Sequence, residues 1–332
     1  MKALLRLSDT PKDFAMGEAP EPQVKPGMVK VKIAYAGLCG SDLHIYLGFE
    51  SGLPQGIHGH EFSGTVCEVG EGVSDWKAGD RVTVEHTFST CGACEFCKTG
   101  RYHLCAKRKS IGFDQQGAFT EYIVVDPQYL HKVPDDVSLA IAAITEPLAC
   151  CVHGVELCGC KPCQKVLVVG PGPMGLMTGM VFKAYGCHVD MVGMPEDAER
   201  LAIAAKAGLN IIEKPVSSSY PIVADCSGSN GGVCLAIDAL QKGGTLLQVA
   251  IATKDLTIPY YSLVYKELKI QATYCHTWKD WDQALKLQKA GLLDLSPVIT
   301  SCVKLEDWQA TFNAALNKEG LKYLFEICPE ED

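Results

Sequence analysis

Between Thr90 and Cys105 the stretch TCGACEFCKTGRYHLC carries Cys91, Cys94, Cys97 and Cys105, with two, two and seven residues between them. Thiolates bind Zn2+ well, and four of them close a tetrahedral site that leaves no position for a substrate. The four sit in one sixteen-residue stretch, so a single loop wraps a single ion, and Gly92, Lys98, Thr99 and Gly100 suit the turns that this requires. The spacing therefore predicts a structural metal, a staple rather than a reagent. A second set of donors is scattered: Cys39, Ser41, Asp42 and His44 in GLCGSDLHIYLG, His58, His60 and Glu61 in HGHEFSG, and Glu146 in ITEPLACC. Cysteine, histidine and carboxylate are zinc ligands, and three of them with one open position make a catalytic centre. Each is a weak signal alone, because a single histidine beside glycine is more often structural.

The third chemical feature is VLVVGPGPMG, with Gly170, Gly172 and Gly175 in the G-x-G-x-x-G spacing and Pro173 and Met174 between the last two glycines. It follows an apolar, β-prone run and opens a helical stretch from Met174 to Tyr185, which is the context that gives this motif weight. Gly170 permits the tight turn, Gly172 lets a pyrophosphate approach the backbone, and Gly175 lets helix and strand pack closely. The helix N-terminus adds positive potential for the phosphates. A carboxylate for the adenosine ribose belongs at the end of the next strand, and there the sequence has Gly193, with Glu196, Asp197, Glu199 and Arg200 a few residues on. A 2′-phosphate would bring more negative charge beside those three carboxylates, with Arg200 alone to offset it, so the charge count leans to NAD over NADP.

These residues need elements to hold them. The first part reads as short strands: VKVKIAY alternates Val29, Val31, Ile33 and Tyr35 against Lys30 and Lys32, and turn signals recur in VGEGV, KAGDRV and FDQQGAF. From about residue 147 the text changes to strand, helix, strand, helix, the signature of a parallel sheet. The last forty-odd residues are mixed. The expected architecture is α/β plus β, with a catalytic domain of residues 1–147 and 288–332, carrying the metal loop 91–105, interrupted by a doubly wound dinucleotide-binding domain of residues 148–287. The 332 residues suffice for two domains. With 47% hydrophobic and 21% charged residues the composition is that of a globular protein, and a net charge of −9 gives no electrostatic reason to hold nucleic acid or an anionic membrane. The apolar run in MKALLRLSDT is too short for a signal peptide and the most apolar window is broken by Gly and Pro, so the expectation is a cytoplasmic protein whose 17 cysteines stay reduced.

Together these residues resemble the zinc-dependent medium-chain dehydrogenases, in the branch of sorbitol (polyol) dehydrogenases and L-threonine 3-dehydrogenase. The likeness runs the whole chain, through AGLCGSDLHIY, GHEFSG, AGDRV, the four-cysteine loop, GAFTEYIVV, EPLA, the glycine loop and LDLSPVIT. The resemblance implies a GroES-like catalytic domain split by a Rossmann domain, and two zinc ions per chain. It places the catalytic zinc on Cys39, His60 and Glu61, with Glu146 at or near the metal; which carboxylate ligates directly stays open. It further implies a proton relay from Ser41 toward His44, hydride transfer between a secondary alcohol or its ketone and NAD or NADP, and a homodimer or homotetramer paired through the strand LKIQATY.

The chain also departs from the pattern. His86, in VEH, stands where the family often has proline. NIIEKPVSSSYPIVADCSG is too short for strand, helix and strand, so one crossover helix is missing. Cys158, Cys160 and Cys163 in CGCKPC belong to no family motif and read as free thiols. Tyr46, Phe113 and Phe119 read equally as walls of a substrate pocket and as aromatic core. Two other functions compete: a catalytically silent relative, which should have lost zinc ligands, and a zinc-linked redox sensor using the extra cysteines.

Overall fold

The strand expected at VKVKIAY forms as Val29–Gly37 and is the centre of the first sheet. Val29, Val31 and Ile33 are fully buried and Lys32 is exposed, as alternation requires. Lys30 departs from that pattern: it is buried, paired with Glu21, and its ammonium lies 5.1 Å from the centre of the Tyr122 ring. The computed structural model describes residues 1–49, 53, 55–252 and 254–329.

The chain divides into two compact units, Met1–Glu146 with Thr277–Leu285 and Ile299–Asp332, and Pro147–His276 with Lys286–Val298. The return differs from the boundary at residue 288 read from the sequence. Trp281 is fully buried and stacks on the His131 ring, centroids 5.3 Å apart at 17°, which ties the start of the helix Trp278–Lys289 to the first unit.

In the first unit seven strands form one sheet, in the order Leu130–Lys132, Arg81–Val84, Glu61–Val69, Val29–Gly37, Lys322–Glu326 and Ile299–Lys304, with Tyr122–Val125 also paired to Val29–Gly37. All pairs are antiparallel except the last two strands in that order. The core joins Val31, Ile33 and Phe62 to Phe14, Phe119, Phe312 and Phe325. Tyr46 and Phe119 belong to this core, 4% and 0% exposed.

The second unit holds six parallel strands in the order Asn210–Ile211, His188–Val192, Lys165–Val169, Tyr220–Asp225, Leu240–Gln248 and Lys269–Ala272. This is the 3-2-1-4-5-6 order of a dinucleotide-binding sheet. After the exposed Lys165, Val166 to Val169 read as an unbroken apolar run because both faces of such a sheet are covered. The third strand has two residues, and the chain passes from it to Tyr220–Asp225 without a helix. Among the described residues no helix is long and apolar enough to cross a membrane.

Candidate metal centres and dinucleotide loop

The four-cysteine loop leaves and returns through a two-stranded ribbon, Thr87–Ser89 against Lys109–Ser110. Gly92 and Gly100 turn it with φ of 65° and 75°, left-handed values that glycine adopts without penalty. The four sulfurs lie within 4.8 Å of one another, with Cys94 and Cys97 at 3.5 Å and Cys91 and Cys97 at 3.9 Å. Backbone N–H groups of Ala93 and Cys94 point at the Cys91 sulfur and bring its thiol down to about 6. A thiolate is the form that a metal takes, so the donor set fits a closed zinc site.

The second centre is assembled from distant segments. Cys39 caps the short helix Gly40–Tyr46, and His60 and Glu61 sit where the strand Glu61–Val69 begins. Their ligand atoms all lie within 4.8 Å of one another. The Asp42 carboxylate works on two neighbours: one oxygen accepts the Cys39 N–H at 3.0 Å, and the other lies 3.6 Å from His60 Nδ1. Burial disfavours a charged ring, but Asp42 and then Cys39 outweigh it and hold His60 well above its ordinary pKa. A proton on Nδ1, facing Asp42, leaves Nε2 to coordinate, which is how a carboxylate usually orients a metal-bound histidine. Glu61 Oε2 is buried without a hydrogen-bond partner, an open acceptor that suits a cation held with Cys39 and His60.

Glu61 is fixed from two sides. Its Oε1 accepts from Lys322 Nζ at 2.6 Å, and Lys322 also donates to the Leu38 carbonyl at 3.1 Å. A Cβ at Gly37 would stand 2.3 Å from Glu61 Oε2, so only glycine leaves room for the carboxylate. Burial raises the Glu61 pKa, Lys322 pulls it down, and the nearby Glu146 raises it again, with a net upward shift. Glu146, 5% exposed, lies 2.8 Å from His86 Nδ1. The His86 and Phe113 rings stand 5.6 and 5.0 Å from that of His60, so Phe113, packed against the edge of the core, also walls this site. Ser41 Oγ is 3.5 Å from His60 Nε2, and half-buried His44 lies three residues on along the same helix. Asp42 stands in the sequence as a candidate donor and is found here orienting His60 instead, while Lys322 is not singled out there. Asp42 is signalled by its three-residue spacing from Cys39, and Lys322 by a cation within the apolar run LKYLFEI.

In the second unit Gly170 takes a φ of 98°, and a Cβ at Gly175 would lie 1.9 Å from the Gly170 carbonyl oxygen. Nothing lies within 4 Å of a Cβ built at Gly172, the N-cap of the helix Pro173–Ala184, so space is open where a pyrophosphate is expected. At Gly193 the backbone is crowded instead: a Cβ would meet the Pro171 ring at 2.9 Å and Asp197 Oδ2 at 3.2 Å. Asp197 accepts the Met194 N–H at 2.9 Å and is half-buried. Its carboxylate thus stands beside the position where the missing second-strand acid would project. Arg200 is half-buried in the following helix, Ala198–Lys206. Cys158, Cys160 and Cys163 come next to Cys187, whose thiol donates to the Lys161 carbonyl at 3.5 Å. Among the described residues they form no group of three within 4.8 Å.

Residues 25–135 match the alcohol dehydrogenase GroES-like domain and residues 173–290 match the zinc-binding dehydrogenase domain. The chain is 34% identical to a sorbitol dehydrogenase of Halalkalibacterium halodurans, over 98% of both chains. It is also 34% identical to a D-arabitol-phosphate dehydrogenase of Enterococcus avium, over 93% of both. The crystal structure of 2R,3R-butanediol dehydrogenase from Bacillus subtilis superposes with a TM-score of 0.89 at 30% identity, covering 98% of this chain and 99% of that one. Matched along nearly its whole length, the chain belongs to the zinc-dependent medium-chain alcohol and polyol dehydrogenases, oxidoreductases that use zinc and NAD(P).

Proposed function

We propose that this enzyme interconverts a polyol or sugar-derived secondary alcohol and its ketone with NAD as hydride acceptor. The observation that carries the reading is the buried set Cys39, His60 and Glu61, with His60 oriented by Asp42. These residues, with Glu146 alongside, would hold the catalytic zinc, and Cys91, Cys94, Cys97 and Cys105 the structural one. Bound there, zinc supplies a Lewis acid for the alcohol or carbonyl oxygen. Ser41 would take the hydroxyl proton and pass it toward His44, and Phe113 would line the site with apolar surface. Gly170, Gly172, Pro173, Met174 and Gly175 would seat the pyrophosphate on the helix N-terminus. Asp197 supports the choice of NAD, since its fixed carboxylate offers a ribose acceptor near Gly193 and repels a 2′-phosphate, while Arg200 supplies the opposing charge. The relatives named above act on sorbitol, arabitol phosphate and butanediol, which points to an acyclic polyol-like substrate. The 17 cysteines suit a reducing, cytoplasmic setting.

The test is reduction of NAD+ and NADP+ followed at 340 nm with a panel of polyols, beside zinc analysis. The expected result is two zinc ions per chain, NAD preferred, turnover abolished in His60→Ala with the fold kept, and the fold destabilised in Cys94→Ser. A preference for NADP above about tenfold, or roughly 1.4 kcal/mol, would overturn the cofactor assignment. Full turnover by His60→Ala would overturn the metal site.

A further inference from the structure

His86 makes a contact that the family's usual proline could not. Its Nδ1 lies 2.8 Å from Glu146 Oε1, and its Nε2 lies 2.5 Å from Arg108 Nη2. A guanidinium only donates, so Nε2 must accept and the ring proton must sit on Nδ1, where it is donated to Glu146. Arg108 is itself held, its Nε donating to Thr87 Oγ1 at 3.0 Å and its backbone N–H to the Cys105 carbonyl at 3.0 Å. The ribbon at the neck of the four-cysteine loop brings these partners together: Thr87 pairs with Ser110, and the Ile111 N–H donates to the His86 carbonyl at 2.7 Å. A line of hydrogen bonds thus links the last loop cysteine, whose carbonyl accepts from Arg108, through Arg108 and His86 to the carboxylate of Glu146.

We propose that His86 is a positioning residue for Glu146 at the catalytic metal, locked in its donating tautomer by Arg108, so that the structural-metal loop is mechanically joined to the catalytic site. The proposal rests on the metal-site reading above, with Glu146 on the carboxylate side of that site. With His86 in place, one Glu146 oxygen is committed and the carboxylate has one orientation. Without it, a buried carboxylate loses a charge-assisted partner and turns. Partners of this kind typically change metal affinity by about 10–100-fold.

The experiment uses the full chain with zinc left in the four-cysteine site and cobalt(II) exchanged into the other, its visible absorption reporting the ligand set. His86→Leu removes the donor, His86→Asn keeps an N–H close to the Nδ1 position, and Arg108→Met removes the lock. His86→Leu should lose the exchanged metal to a chelator at least about tenfold faster and shift the cobalt band, while His86→Asn stays within about threefold of the parent with the parental band. Arg108→Met should fall between them, and it carries the test if His86→Leu does not fold. Unchanged release and spectrum in His86→Leu and Arg108→Met would overturn the proposal, as would an equal defect in His86→Asn and His86→Leu, which would mean that only the bulk of the ring matters. Cys39→Ser is the separate control: a cobalt band that survives it sinks the metal-site reading itself.

Discussion

At the scale of single residues, the most exacting position is one with no side chain. Gly37 faces Glu61 across the sheet, and a methyl group there would lie 2.3 Å from Oε2. Overpacking of this kind usually costs about 1–3 kcal/mol, and here the group that must move is a candidate metal donor. Gly37→Ala should therefore keep the four-cysteine zinc, hold the second zinc more weakly and fall about 10–100-fold in kcat/KM. Elemental analysis beside steady-state kinetics checks this, and a variant with two zinc ions and parental turnover would refute it. The same comparison explains which parts of the site are legible in the sequence. The four-cysteine loop is local, so spacing alone carries it. The glycine loop is also local, one turn between one strand and one helix. Gly37 and Lys322 meet Glu61 only through the sheet, Lys322 from 261 residues away in the chain, and no spacing rule spans that distance. Asp42 lies between the two cases: its cap on Cys39 is local, and its hold on His60 is not.

At the scale of elements, Asp190 ties its own strand to three others of the dinucleotide-binding sheet. It accepts from Asn210 Nδ2 at 2.6 Å and Tyr220 Oη at 2.7 Å, with Lys165 Nζ 3.1 Å away. Burial acts to raise its pKa, but the hydrogen bonds from Asn210, Tyr220 and Lys165 prevail and hold it below the ordinary 3.8. A depressed carboxyl contributes stability above its unfolded pKa and loses that contribution as pH falls through the folded value. The urea midpoint of Asp190→Asn should accordingly lie below the parent's at pH 7, with the gap closing below about pH 4. A gap independent of pH would mean that Asp190 acts through shape alone. This network also accounts for the absent crossover helix. Asn210 and Tyr220, the first residues of the two strands that the short connection joins, are fastened to the same carboxylate, which holds both strands in place without a helix between them. The missing helix is legible in the sequence from length alone, whereas the carboxylate that replaces its role is not.

At the scale of the whole molecule, the sheet of the second unit ends in an uncovered strand. Ile270 and Tyr274 are 51% and 56% exposed, and the helix Tyr260–Tyr265 beside this edge exposes Tyr260, Tyr261, Val264 and Tyr265. An edge of this kind invites pairing, and a two-fold repeat of it is self-complementary. Light scattering at micromolar concentration should give a multiple of the 35.8 kDa chain, and Ile270→Lys should shift it toward a single chain with the circular dichroism unchanged. A parental protein that scatters as one chain would refute the pairing. One further consequence follows from the crowding at Gly193. An acid introduced there, the direct route to a conventional ribose grip, meets the Pro171 ring at 2.9 Å and the carboxylate of Asp197 at 3.2 Å. Replacing Pro171 first removes the obstacle but also frees the turn that presents the phosphate loop. A side chain at Gly193 is therefore expected to cost stability unless Pro171 gives way with it, so an engineer changing the ribose grip should vary the two positions together.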